Sequence, residues 1–299
     1  MVNGSITLLG TGGDSFVVGR QLRSAGGIIV RSGETQLHID PGPGSLSAAA
    51  AYGIKIRENT AVLCSNNSLL SANDVNAVID AMTYSGFDKH GVLVASTTVV
   101  HGSASEQRFL HEQLSEYLER VIILDKGKRV GINDVEILGL AVKHKDPKAI
   151  GFKIFSPGFT VAYTSDTQYS AELAEQCKDA NILILKVPHV KKGEDGLTVK
   201  DAIKLISVCK PRLAVVSGFT IEMLQEDPLY VIREIQKEVK VQTLAAKDGM
   251  MIDPVSYAAQ QGQKTLLSYP QGDEPKAPQV TITEIRSTES GQPAGKDDL

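Results

Sequence analysis

The sequence contains no tryptophan, and phenylalanine and tyrosine are so sparse that aromatics make up only 5% of its 299 residues. No aromatic RNA-binding motif is present, which argues against a surface that stacks unpaired bases. Cysteine is scarce too. Cys64, Cys177 and Cys209 are an odd number without C-x-x-C spacing, and Cys64 and Cys209 fall in apolar patterns. They are expected to be buried free thiols of a protein kept in a reducing cytosol. No apolar run approaches the roughly 20 residues that span a bilayer, and the N-terminus lacks a signal-peptide pattern, so a cytoplasmic protein is expected. A strong charge imbalance is also missing. The net charge of −4 provides no whole-molecule pull toward nucleic acid or anionic lipid, which leaves room only for a local basic patch.

What the chain does have is the composition of a globular protein, 42% hydrophobic and 22% charged, long enough for one large core or two small ones. Short β-branched runs recur at 6–9, 27–30, 36–39, 61–64, 92–95, 121–124, 135–140, 151–155, 159–163, 182–187, 213–216 and 241–245. Most are bounded by Gly, Pro, Asp or Ser, as strands are. Tight returns at 125–128, 131–134 and 156–158 predict hairpins in the middle of the chain. Helical spacing predicts four helices. One follows Ser71, with Asp74 three residues on in a capping-box position, and buries Val75, Val78, Ile79 and Met82. A second carries Leu110, Leu114, Tyr117 and Leu118 on one stripe. A third starts at Thr198 with Asp201 at its third position, and a fourth at Asp227-Pro228. This mixture predicts an α/β architecture with two sheets packed face to face and helices outside. A folded domain is expected over 1–268. Residues 269–299, rich in Pro, Gly, Ser and charge, read as a flexible acidic tail with one weak strand signal at Val280, Ile282 and Ile285.

Several landmarks coincide with strand ends. They are Leu9-Gly-Thr-Gly-Gly13, His38-Ile-Asp40-Pro-Gly, His144 in Val-Lys-His-Lys-Asp, Asp166 in Thr-Ser-Asp-Thr, and Ser217-Gly218-Phe219. With the hairpin-like 245–253 stretch, this series resembles the metallo-β-lactamase superfamily, and in particular its ribonuclease Z and phosphodiesterase branch, over roughly residues 5–253. The resemblance implies an αββα sandwich with a two-metal hydrolytic centre at one sheet edge. Asp40 would brace the metal-bearing loop, His144 would match the third histidine and Asp166 the metal-bridging aspartate.

The resemblance also exposes what is missing. Where the family places Thr-His-x-His-x-Asp-His, this chain has Ser65, Asn66, Asn67, Ser68, Leu69, Leu70 and Ser71, and the closing histidine is Gly218. Two of seven ligand positions keep a ligand residue, whereas zinc takes three or four imidazole, thiolate or carboxylate donors. No metal cofactor is therefore expected, and without one no water is activated to hydroxide. Asn66, Ser68 and Ser71 should lie near His144 and Asp166.

Two readings follow. One is a catalytically degenerate member acting as a non-catalytic binding or assembly subunit, with a protein partner or a second copy of itself. The other is a hydrolase or phosphodiesterase with an atypical zinc or manganese centre on His144 and Asp166. His189 either completes such a centre or is a surface histidine. His38 is either outward or core-facing beside Asp40, whereas His90, His101 and His111 are expected to face solvent. A serine-based triad from Ser165 or Ser217 lacks the glycines of a nucleophile elbow. Lys143, Lys145, Lys148, Lys186, Lys191 and Lys192 flank His144 and His189. They form either an anion-binding edge for phosphate or nucleic acid, with Lys143, Lys145, Lys186 and His189 at its centre, or solvated lysines balanced by nearby acids.

Overall fold

The computed structural model describes residues 4–104, 106–193 and 195–258. Fourteen strands form two seven-stranded sheets. The first holds β1 (Gly4–Leu8), β2 (Ile28–Ser32), β3 (Thr35–Ile39), β4 (Ala61–Cys64), β5 (Val92–Ala95) and β6 (Arg120–Ile123). The second holds β7 (Arg129–Ile132), β8 (Val135–Ala141), β9 (Ile150–Phe155), β10 (Thr160–Tyr163), β11 (Ile182–Lys186), β12 (Leu213–Ser217) and β13 (Gln242–Ala245). β14 (Met250–Ile252) returns to the first sheet and pairs antiparallel with β1. The expected αββα sandwich is the observed fold.

The β4 sequence Ala-Val-Leu-Cys shows why the sheets sit as they do. Ala61 and Leu63 face the core between the sheets, while Val62 and Cys64 face a second core under the helices. A strand buried on both faces reads as a continuous apolar run, which is why these strands were visible in sequence. The outer core is covered by α4 (Val75–Thr83), which buries Val75, Val78, Ile79 and Met82. On the other side α8 (Val199–Cys209) and α10 (Pro228–Val239) pack on the second sheet. The Thr198–Asp201 capping box forms, and Asp227 caps α10 with proline in its first turn.

Three local expectations need correction. The 125–128 return is no hairpin, because β6 and β7 lie in different sheets and the turn carries the chain across the sandwich. Ser71 does not cap α4, because it lies inside the short helix α3 (Leu69–Ala72). Asp74 instead accepts from the Gly44 and Ser45 amides at 2.8 and 2.9 Å, tying α4 to the loop after β3. The helix expected around 110–118 is only α6 (Glu112–Ser115). Leu110 and Leu118 are buried as expected, but the chain has to turn into β6 at Arg120.

All three cysteines are free and buried. Among the described residues no helix is long and apolar enough to cross a membrane. The 268/269 boundary, the tail and its strand signal fall outside the described residues.

Candidate functional site

In each sheet a run of parallel strands points its carboxyl ends the same way, β3 to β6 in one and β10 to β13 in the other. Ligands in open α/β sheets bind at such ends, because loops there can present side chains on a rigid frame. The sequence landmarks lie there. Asp40 follows β3, Ser65 follows β4, Asp166 lies three residues past β10, Lys186 ends β11, and Gly218 follows β12.

Asp40 is the hub. It is buried at φ +50°, and its carboxylate accepts from the Ser65 amide and hydroxyl, both at 2.8 Å, and from the Tyr163 hydroxyl at 2.7 Å. Burial pushes its carboxyl above the usual carboxylate range, against the pull of Lys186 and these donors. The bracing role implied by the resemblance corresponds to these bonds, since they hold the loop that begins at Ser65. From there the polar chain continues, with the Ser65 and Ser165 hydroxyls 2.6 Å apart and the Asn66 amide donating to both.

Ser68 lies on the wall of an open cleft of about 820 Å³ whose lining includes Asn67, His144, Lys145, Asp166 and His189. Asn66 reaches this edge through Ser165, the neighbour of Asp166. Ser71 is buried, and among the described residues neither its hydroxyl nor that of Ser68 has a hydrogen-bond partner. The Leu69 and Leu70 side chains join Phe109, Pro188 and Ile221 as the apolar part of the wall. The cleft thus brings together His144, Asp166 and His189.

Each of these is already engaged by the protein. The Asp146 amide donates to His144 Nδ1 at 3.0 Å, so the neutral ring carries its proton on Nε2. Burial lowers the His144 pKa, opposed by Asp166 and Asp146, which favours that neutral ring. Lys186 Nζ donates to Asp166 Oδ2 at 2.9 Å. Burial disfavours its ammonium, but Asp166 and Asp40 prevail and hold the pKa above the ordinary lysine value. His189 donates from Nε2 to the Asp195 carbonyl, and its Nδ1 lies 3.7 Å from Glu222.

These contacts decide the metal question for the residues present. A metal-bound histidine needs a bare nitrogen toward the ion and gives its other N–H to an acceptor. In His144 the free position carries the proton and the other nitrogen faces an amide donor. Asp166 meets a lysine, and Asn66 offers an amide group bound to serines. Among the described residues no group of three or more His, Cys, Asp or Glu side chains could hold a metal ion. The donor set does not fit the metal centre that the resemblance implies.

Gly218 has its own reason to be glycine. Its φ is +72°, and a Cβ there would lie 2.8 Å from Lys186 Cβ and 3.0 Å from Cγ. Gly218→Ala should therefore cost about 1–2 kcal/mol, from left-handed strain and displacement of the lysine stem. Urea denaturation followed by circular dichroism measures it. An unchanged midpoint would mean that Lys186 can take another path.

As an anion-binding edge the cluster has fewer available cations than the sequence count suggests. Lys143 and Lys145 are exposed, whereas Lys186 is paired with Asp166, and Asp14, Asp195 and Glu222 share the cleft wall. His38 is core-facing, fully buried, and donates from Nε2 to the Gly26 carbonyl at 2.9 Å. His101 and His111 are exposed as expected. His90 is not, because it is half-buried against Arg57. Sequence reading missed Tyr163, Ser65 and Ser165 as network members. It also missed Asp146 as the carboxylate that ties the Asn67 amide to the Thr98 hydroxyl.

The family model described as "Beta-lactamase superfamily domain" matches residues 35–219. An uncharacterized protein of Methanocaldococcus jannaschii is 27% identical over 253 residues, 83% of this chain and 94% of that protein. Among solved structures, the metallo-beta-lactamase fold protein YhfI from Bacillus subtilis superposes with a TM-score of 0.69 at 15% identity, over 84% of this chain and 99% of that one. Zinc-bound PqqB from Methylobacterium extorquens gives 0.63 at 14%, over 83% and 99%. The short form of human tRNase Z gives 0.58 at 14%, over 84% and 99%. These structural likenesses establish the shared fold, and with the matched domain they show that the chain belongs to the beta-lactamase superfamily.

Proposed function

We propose that this protein is a non-catalytic binding member of the superfamily, a pseudoenzyme that uses the old catalytic edge to hold a ligand or partner without hydrolysing it. The observation that carries the reading is that the cleft persists while its ligand-type side chains are satisfied internally, Asp166 by Lys186 and His144 by the Asp146 amide. An 820 Å³ cleft is in the range of small-molecule sites, and its wall mixes apolar side chains with a few polar groups, as such sites do. The His144 Nε2–H and the Lys145 ammonium are donors on that wall, so a partly apolar ligand with an anionic group suits it. Metal-assisted hydrolysis needs an ion with an open coordination position. Among the described residues the donors do not supply such an ion's ligands.

The test is turnover and metal content together. Protein purified without chelator should hold well under one equivalent of zinc, manganese or iron. It should show no turnover of phosphodiester, lactam or thioester substrates with either zinc or manganese added. Metal-dependent turnover that vanishes in His144→Ala or Asp166→Ala would refute the reading and establish the atypical hydrolase in its place.

A further inference from the structure

We propose that the Lys186 ammonium is a built-in cation that neutralises the carboxylates at this edge in place of a divalent metal, and that its side chain keeps metal out. This rests on the proposed metal-free reading and adds the group that makes such a centre stable.

Lys186 ends β11 between the loop carrying Asp166 and the strand end carrying Gly218. Its Nζ contacts Asp166 Oδ2 at 2.9 Å with the lysine side chain only 14% exposed and the aspartate side chain 28%. Asp40, fully desolvated, is the second carboxylate facing it. Two such carboxylates without a nearby cation would be costly, because neither can be well hydrated. The residues at the other ligand positions, Asn66, Ser68, Leu70 and Ser71, bring no charge to help. The lysine supplies it.

Two packing observations agree. A small recess of about 20 Å³ remains beside Asp40, Tyr163, Lys186 and Ser217. That is room for about one water and not for a hydrated divalent ion. A Cβ at position 218 would lie 2.8 Å from Lys186 Cβ and 3.0 Å from its Cγ, so a side chain there would displace the lysine stem from its present path. A plain structural ion pair would give the same distances, but it makes no prediction about metal.

The experiment uses the full chain, Mn2+ as probe, thermal unfolding by circular dichroism, and electron paramagnetic resonance of the free ion. Lys186→Ala removes the ammonium and opens the cavity toward Asp40 and Asp166, a carboxylate pair of the kind Mn2+ and Mg2+ accept with water completing the shell. In chelator the variant should melt roughly 5–10 °C lower than the parent. Excess Mn2+ should restore most of that loss with one ion bound per chain, while the parent shows neither shift nor binding. Lys186→Met, which fills the space without charge, should lose as much and regain nothing from Mn2+. Adding Asp166→Asn to Lys186→Met should recover part of the loss, an arm that stands even where the alanine variant fails to fold. The inference is overturned by a parent that binds Mn2+ like the variant, or by a folded alanine variant that takes up none. Equal stability of Lys186→Met with and without Asp166→Asn would overturn it too. Metal-dependent turnover by the parent would refute the proposed function. An inert parent with an Ala variant blind to Mn2+ refutes only the role of Lys186.

Discussion

Asp40→Ala should lose about 3–5 kcal/mol of folding stability, because it strands the Ser65 amide, takes the acceptor from the Ser65 and Tyr163 hydroxyls and removes part of the compensation of Lys186 in a buried network. Natural domains are stable by about 5–15 kcal/mol, so the loss is a large share of the whole. Alanine also fits poorly at φ +50°, where short polar side chains are better tolerated. Asp40→Asn separates the two effects, since asparagine accepts that backbone but presents an amide to donors. Loss common to both variants measures the charge, and the excess in alanine combines strain with the lost acceptor and the space left behind. With no tryptophan to report unfolding, far-ultraviolet circular dichroism in urea is the natural readout. A loss below about 1 kcal/mol in Asp40→Ala would show that the network is not held by this carboxylate.

The second large effect is a dependence on pH that has its source in His38. Burial lowers its pKa to about 4, against weaker opposing influences from the Gly26 carbonyl and Asp74. Its Nδ1 is buried without a partner among the described residues, as suits a neutral ring with one proton on Nε2. The unfolded chain protonates this histidine near pH 6.5, whereas the fold refuses the proton until about pH 4. The stability contribution is therefore complete above pH 6.5 and is lost as pH falls toward 4, by about 3 kcal/mol. Asp40 acts the other way, because its raised folded pKa favours the fold at low pH and its contribution fades as pH rises. Asp40 therefore offsets part of the histidine's share, whereas the lowered pKa of His144 adds to the fall. His38→Gln keeps a donor for the Gly26 carbonyl and does not titrate. The difference in unfolding free energy between parent and variant should narrow by about 3 kcal/mol from pH 7 to pH 4. Parallel curves would locate the acid sensitivity elsewhere.

How far the sequence reveals this molecule depends on the range of the interaction that fixes each part. Strands buried on both faces announce themselves as β-branched runs, and α8 and α10 carry local signals in Thr198–Asp201 and Asp227-Pro228. Helices of one or two turns, such as Ser15–Gly19, Thr97–His101 and Ile221–Gln225, are too short to show a periodic stripe and went unread. Turn chemistry at 125–128 gave a tight return correctly but not its destination, because which sheet follows is a tertiary choice. At the site, His144, Asp166 and the Ser65–Ser71 segment were located by motif position. The contact of Lys186 with Asp166 was not, since it depends on β10 and β11 pairing in parallel with Tyr163 opposite Ile184. That register brings residues 166 and 186 past the same sheet end. Charge spacing alone saw only one lysine among six.

The closing strand β14 carries a consequence for how the protein is made. Its partner β1 lies at the opposite end of the described chain, so the first sheet has an open flank from the moment β1 to β6 leave the ribosome until residues 250–252 follow. During that interval the outer hydrogen-bonding edge of β1, with the apolar Ile6 and Leu8, has no intramolecular cover from its final neighbour. The second sheet has all its strands before the first is sealed. The vulnerable species on this protein's folding route is therefore a chain to which residues 250–252 have not yet been added, a state prone to pairing edge to edge with another nascent copy.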